Sequence, residues 1–210
     1  MQRFGFFIAA ALALFFCKTA PLLAESPAAR VKAFVDGTKT FRARFTQSVI
    51  GKKSGKKPQV SSGVVTLSRP GKFRWQIEQP YEQLMLSDGH KVWLYDPELK
   101  QVTVQRANQT LTGTPAALLA GDSAIDKNFT LNEAGSREGR DWIEALPKNQ
   151  EASFSRILLG FKGDALQVME LSDNFGQTTH ILFSTLERNP VLPPSTFNFT
   201  VPSGVDVVGE

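Results

Sequence analysis

The chain has 210 residues, with 24 lysines and arginines against 20 aspartates and glutamates, two histidines and a single cysteine. That length suits one domain able to bury a real core. The near balance of charge gives no basis for a nucleic-acid surface, and one cysteine leaves no room for a disulfide framework or a thiolate metal cluster.

Met1-Gln2-Arg3 supplies a positive charge, residues 4–16 are almost unbroken apolar, and Ala24 offers a small residue at a cut. These are the parts of a secretory signal peptide. The apolar run is too short to span a bilayer, which needs about 20 residues, and Lys18 interrupts it, which argues against a retained anchor. Cleavage is expected after Ala24, although Leu22 in place of a smaller residue leaves a neighbouring site open. Residues 1–24 are then the signal and 25–210 a single mature domain, with 22 basic and 20 acidic residues and a net charge of +2. Cys17 follows the bulky Phe16, where a lipid-attachment site would want a small residue, so it is expected to leave with the signal.

Ser26-Pro27 opens a helix as N-cap and first helical residue. Ala28, Val31, Phe34 and Val35 recur at helical spacing, and Gly37 closes it. From Thr40 the period becomes two: Phe41, Ala43 and Phe45 alternate with Arg42, Arg44 and Thr46, a strand with one apolar face. Residues 51–57, GKKSGKK, read most simply as a solvated hairpin loop; the sharper alternative is a patch for anionic headgroups. Strands follow at 63–69, 72–78, 83–87, 90–95 and 100–106, divided by Pro70-Gly71, Gln79-Pro80, Asp88-Gly89 and Asp96-Pro97. Tight turns with no helix between them predict an antiparallel meander. A short apolar helix is expected at 116–120, stopped by Gly121. Strands resume at 129–131, 141–146, 154–161, 165–171 and 178–184, and the tail at 193–208 is extended with Phe197 and Phe199 on one face. The total is about eleven strands and a few short helices: a mainly β protein.

Several strands are apolar on both faces. Leu84, Met85 and Leu86 are consecutive, as are Val92 to Tyr95 and Ile157 to Leu159. Such strands need cover on each side, and two short helices cannot cover both faces of a wide sheet. A curled sheet with an apolar concave side under helices accounts for the surplus. A filled core accounts for it too, and composition alone does not separate the two.

The stretch at 68–104, SRPGKFRWQIEQPYEQLMLSDGHKVWLYDPELKQVTV, resembles the outer-membrane lipoprotein carrier (LolA) family. FRARFTQ at 41–47, TGTPAALLA at 112–120 and FNFTVPSGVDV at 197–207 extend the resemblance in the family's order, as does a signal without a lipid site. The specific combination is RPxxFxW, then SDG, then WxYxP.

The resemblance implies an incomplete, half-open antiparallel β-barrel with a helical lid over an apolar cavity. It also implies a non-enzymatic periplasmic monomer without cofactor or metal. Such a carrier takes acylated lipoproteins from an inner-membrane ABC-type releasing complex and passes them to an outer-membrane receptor lipoprotein. Arg69 matches the family's arginine before proline, which implies a latch bonded to lid-helix carbonyls; a surface arginine at a strand end is the plainer reading. Phe73 is implied in contact with the releasing complex or the acyl chains, or is ordinary core. Trp75, Met85, Leu86, Leu94 and Leu118 are the expected cavity lining, while Trp93 alternates onto the other face. The lysine-rich loop matches nothing in the family, and Ala116-Ala117 are smaller than expected in the lid.

Two other classes compete with this reading. His90 beside a turn and His180 in a strand offer no metal-ligand spacing, and no Gly-x-Ser-x-Gly marks a nucleophile, so a hydrolase has little support. A carrier or sensor of another lipid, such as a glycolipid, on the same architecture is the stronger rival.

Overall fold

The computed structural model describes residues 26–51, 57–107, 115–121, 125–149 and 152–209. The expected signal segment with Cys17, residues 52–56 of the lysine-rich loop, and the side chains of Ala116 and Ala117 lie outside the described residues.

Ser26 caps helix α1 (Pro27–Gly37), its hydroxyl accepting the Ala29 N–H at 3.1 Å. Proline is harmless at this first turn because its missing N–H would have had no partner there. One stripe of α1 buries Val31, Phe34 and Val35. Past Thr38 the chain enters strand β1 (Thr40–Gly51), and hairpins then carry it through β2 (Gln59–Ser68), β3 (Lys72–Gln79), β4 (Gln83–Asp88), β5 (Lys91–Asp96) and β6 (Gln101–Arg106). Helices α2 (Pro115–Ala120) and α3 (Ile125–Asn128) lead to β7 (Phe129–Arg137), β8 (Arg140–Pro147), β9 (Phe154–Lys162), β10 (Ala165–Asp173) and β11 (Gln177–Arg188). A 3₁₀ turn (Pro194–Phe197) and β12 (Asp206–Gly209) end the chain.

The twelve strands of the described residues belong to one sheet, ordered β12-β6-β5-β4-β3-β2-β1-β11-β10-β9-β8-β7. Pairing is antiparallel throughout except where β12 adds to β6 in parallel. The long β1 and β11 join the two meanders at the centre, with Phe45 opposite Phe183. The terminal strands β12 and β7 do not pair with each other, so the sheet curls without closing. This is the half-open, mainly β architecture expected. The short β12 and α3 were not: four-residue elements carry too little periodicity to be read from sequence.

Alternation explains the doubly apolar strands. The concave face carries Phe41 and Phe45 of β1, Phe73 and Trp75 of β3, Ile157, Leu159 and Phe161 of β9, and Ile181 and Phe183 of β11, all in one cluster with Val31, Phe34, Leu118 and Leu119 of the helices. On the convex side the cover is the C-terminal tail. Buried Phe197 lies under β3 and β4, and the Phe199 ring packs 6.1 Å from Trp93 and 5.7 Å from Tyr95. Under β8–β10 the convex cover is smaller: Trp142, Leu158 and Val168 cluster together, with the Arg137 guanidinium 3.7 Å from the Trp142 ring centre. Gly160 is fixed by that indole, since a Cβ there would meet its ring atoms at 3.2 Å.

Candidate binding cavity

Among the described residues the concave face is filled at one end. There α1 lays Phe34 edge-on against Phe41 and Phe161, with ring centres 6.4 and 5.6 Å apart, and α2 packs on β2 and β3. Toward the other end no helix reaches the sheet among the described residues, and a cavity of about 570 Å³ opens between β3–β6 and β9–β11. That volume lies within the about 300–1,000 Å³ common for ligand pockets. Its floor is apolar: Trp75, Ile77, Met85, Leu94, Leu171 and Ile181, with Phe154 at the edge.

Of the residues expected to line it, Phe73, Trp75, Met85 and Leu94 do. Strand register brings three of them together, because Trp75 lies opposite Met85 and Met85 opposite Leu94. Trp75 is braced from behind by Phe45, 4.5 Å between ring centres. Leu86 and Leu118 do not line it. Leu86 is the neighbour of Met85 on one strand, so it points to the convex face, where it pairs with Trp93 and is fully buried. Leu118 is buried in the filled end with Leu119 and Ala120. The lining from β9–β11 was invisible in sequence, since nothing local says that Leu171 and Ile181 will face Trp75 across the hollow.

Arg69 stands where the filled end is pinned. The β2–β3 turn holds both helices: Arg69 Nη1 donates to the carbonyl of Thr38, the C-cap of α1, and the Gly71 N–H donates at 2.7 Å to the carbonyl of Ala120, the last residue of α2. Such terminal carbonyls lack partners within their own helix. The Arg69 Nε and Nη2 are buried and have no hydrogen-bond partner among the described residues. Burial first, and then the charge of Arg188, draw the Arg69 pKa down to about 10, with Asp36 opposing; the guanidinium stays protonated at neutral pH. Arg188 donates from Nε to Thr38 Oγ1 at 3.1 Å, and both guanidiniums lie near the Phe34 ring centre, at 5.5 and 5.9 Å. Asn189 completes the anchor, donating to the Gly37 carbonyl at 2.9 Å and accepting the Lys39 N–H at 2.8 Å. Thr38, Arg188 and Asn189 went unnoticed in the sequence, 150 residues separating Thr38 from Arg188.

No group of three or more His, Cys, Asp or Glu side chains among the described residues is placed to hold a metal. No described helix is long and apolar enough to cross a membrane.

A half-open sheet with an apolar hollow beside pinned helices defines an open, mainly antiparallel β-fold with a cavity on its concave side. A solved structure of an uncharacterized conserved protein from Thermus thermophilus is similar in fold, with a TM-score of 0.54 at 13% identity over 85% of this chain and 94% of that one. The family model for the outer membrane lipoprotein carrier protein LolA matches residues 36–200. An outer-membrane lipoprotein carrier protein from Dechloromonas aromatica is 52% identical over 191 residues, covering 90% of this chain and 91% of the relative. Another, from Methylobacillus flagellatus, is 48% identical over 180 residues, covering 86% and 87%. The chain belongs to the LolA family of outer-membrane lipoprotein carrier proteins.

Proposed function

We infer that this protein is a non-enzymatic periplasmic carrier that shelters the acyl chains of lipoproteins on their way to the outer membrane. One observation carries the reading beyond family membership: among the described residues the helices leave part of the concave face as an apolar hollow walled by Trp75, Met85, Leu94 and Ile181. Each buried CH₂ is worth about 0.8 kcal/mol, so acyl chains in water lose tens of kcal/mol that such a hollow recovers. The finer parts of the reading follow the family: residues 1–24 are removed on export, 25–210 act as one monomeric domain, and cargo passes from an inner-membrane ABC-type complex to an outer-membrane receptor lipoprotein.

Arg69 is read as the latch of the closed lid. Its bond to the α1 C-cap supports this, and so do its two unmatched nitrogens, since a buried guanidinium left partly unsatisfied is costly and a contact of that kind is easily given up. Arg69→Leu leaves the fold intact and traps cargo, so a pull-down from periplasm recovers more lipoprotein than wild type; equal or smaller recovery contradicts the latch. Native mass spectrometry of the periplasmic protein tests the carrier itself. A bound acylated protein supports it, whereas a bound free glycolipid or persistently empty protein counts against it.

A further inference from the structure

The apolar floor of the cavity ends in a polar collar. On one wall Gln83, Asp96 and Gln101 stand in a row across β4, β5 and β6, Asp96 lying opposite Gln101 in register and accepting from Gln83 Nε2 at 3.0 Å. Across the opening are Gln47 of β1 and Thr179 of β11, two residues apart in the same paired strands. Amides and hydroxyls of this kind offer donors to ester and amide carbonyls. Among the described residues that line the cavity, the only charge is the Asp96 carboxylate, and none is a cation. Hydrogen bonds keep that carboxylate ionised: the Leu99 N–H first, then Gln83, then the Glu98 N–H hold its pKa below the usual value.

Position gives this charge a consequence. A ligand whose chains occupy the floor must place its polar junction in the collar, beside Asp96. The two-chain lipids that make up a bilayer carry an anionic phosphodiester at that junction. An acylated N-terminal cysteine carries a glycerol diester on sulfur and no phosphate. Like charges brought close to one another are repelled, and discrimination often rests on such a repulsive element.

We propose that Asp96 and the amide collar beside it form a charge filter that admits chains joined through neutral ester and amide groups and rejects phospholipids. The filter rests on the carrier reading and deepens it, because a carrier surrounded by phospholipid must refuse the commoner two-chain ligand. A plainer role for Asp96 is to cap the β5–β6 turn, since its Oδ1 accepts the N–H groups of Glu98 at 3.0 Å and Leu99 at 3.1 Å. Asparagine also caps such turns, so Asp96→Asn removes the charge and spares the turn. Gln101→Lys adds a cation to the collar without touching the turn.

The experiment offers the full mature protein equal amounts of a synthetic acylated-cysteine lipopeptide and phosphatidylglycerol in mixed detergent micelles. Bound ligands are extracted and counted by mass spectrometry, with thermal melting to confirm folding. Wild type takes up lipopeptide with little phospholipid, and the lipopeptide-to-phospholipid ratio falls about threefold in Asp96→Asn and in Gln101→Lys. If wild type binds lipopeptide but the ratio is the same in both variants, the filter is overturned and the carrier reading stands. If wild type takes up no lipopeptide, the carrier reading fails and the filter with it.

Discussion

The two ends of the concave face are built from the same kinds of residue yet end in different states. At the helix-covered end Phe41, Phe161 and Leu67 are almost wholly buried, because α1 and α2 lie over them and the turn at Arg69–Gly71 ties both helices down. At the mouth end Trp75, Ile77, Met85 and Leu94 are no less apolar, yet they stay half-exposed around a hollow. Packing stabilises the first region. The second turns apolar surface toward a hollow, and that is how a fold keeps binding capacity.

The contrast breaks most visibly if the filled end is emptied. Phe161→Ala removes a ring that meets Phe34 inside the cluster, and should cost about 3–5 kcal/mol in urea unfolding. Met85→Ala, at the hollow end, should cost only about 1 kcal/mol because little of its neighbourhood is packed. The same change takes apolar wall from the cavity and weakens binding of an acylated lipopeptide about tenfold, measured by calorimetry. A Met85→Ala protein as destabilised as Phe161→Ala, with cargo affinity untouched, would erase the distinction.

The smallest effect concerns the other tether of α1. Arg30 Nη1 donates to Asp141 Oδ2 at 2.7 Å, joining the helix to β8. The Ser136 hydroxyl, at 2.6 Å on Oδ1, followed by Arg30, lowers the Asp141 pKa below its ordinary 3.8. A carboxylate with a lowered folded pKa stabilises above its unfolded value and loses that contribution as pH falls through the folded one. Hydrogen exchange in the first turns of α1 should therefore be unchanged from pH 7 to about 5 and rise modestly below pH 3.8, and Asp141→Asn should abolish that rise.

Much of this was legible in the sequence, and the remainder divides by cause. Strands β3–β6 were readable because Pro70-Gly71, Asp88-Gly89 and Asp96-Pro97 punctuate them, and α1 because Ser26-Pro27 caps it. Trp93 could be turned outward by alternation alone. Leu86 could not, because in Leu84-Met85-Leu86 every position is apolar and only pairing with β3 and β5 says which one faces in. The collar was hidden for the opposite reason: Gln47, Gln83 and Gln101 are polar, and polarity gives no sign of an inward face although their places in the alternation are inward. Arg188 and Asn189 act on residues some 150 positions away, and no local pattern encodes that meeting.

A photoactivatable group at the tip of an acyl chain of bound lipopeptide puts the hollow end to the most direct trial. Irradiation followed by peptide mapping should place the adducts on Trp75, Met85, Leu94, Leu171 and Ile181. Adducts on the convex face around Trp93 and Phe199, or scattered over the surface, would show that the chains lie elsewhere and that the hollow is not their site.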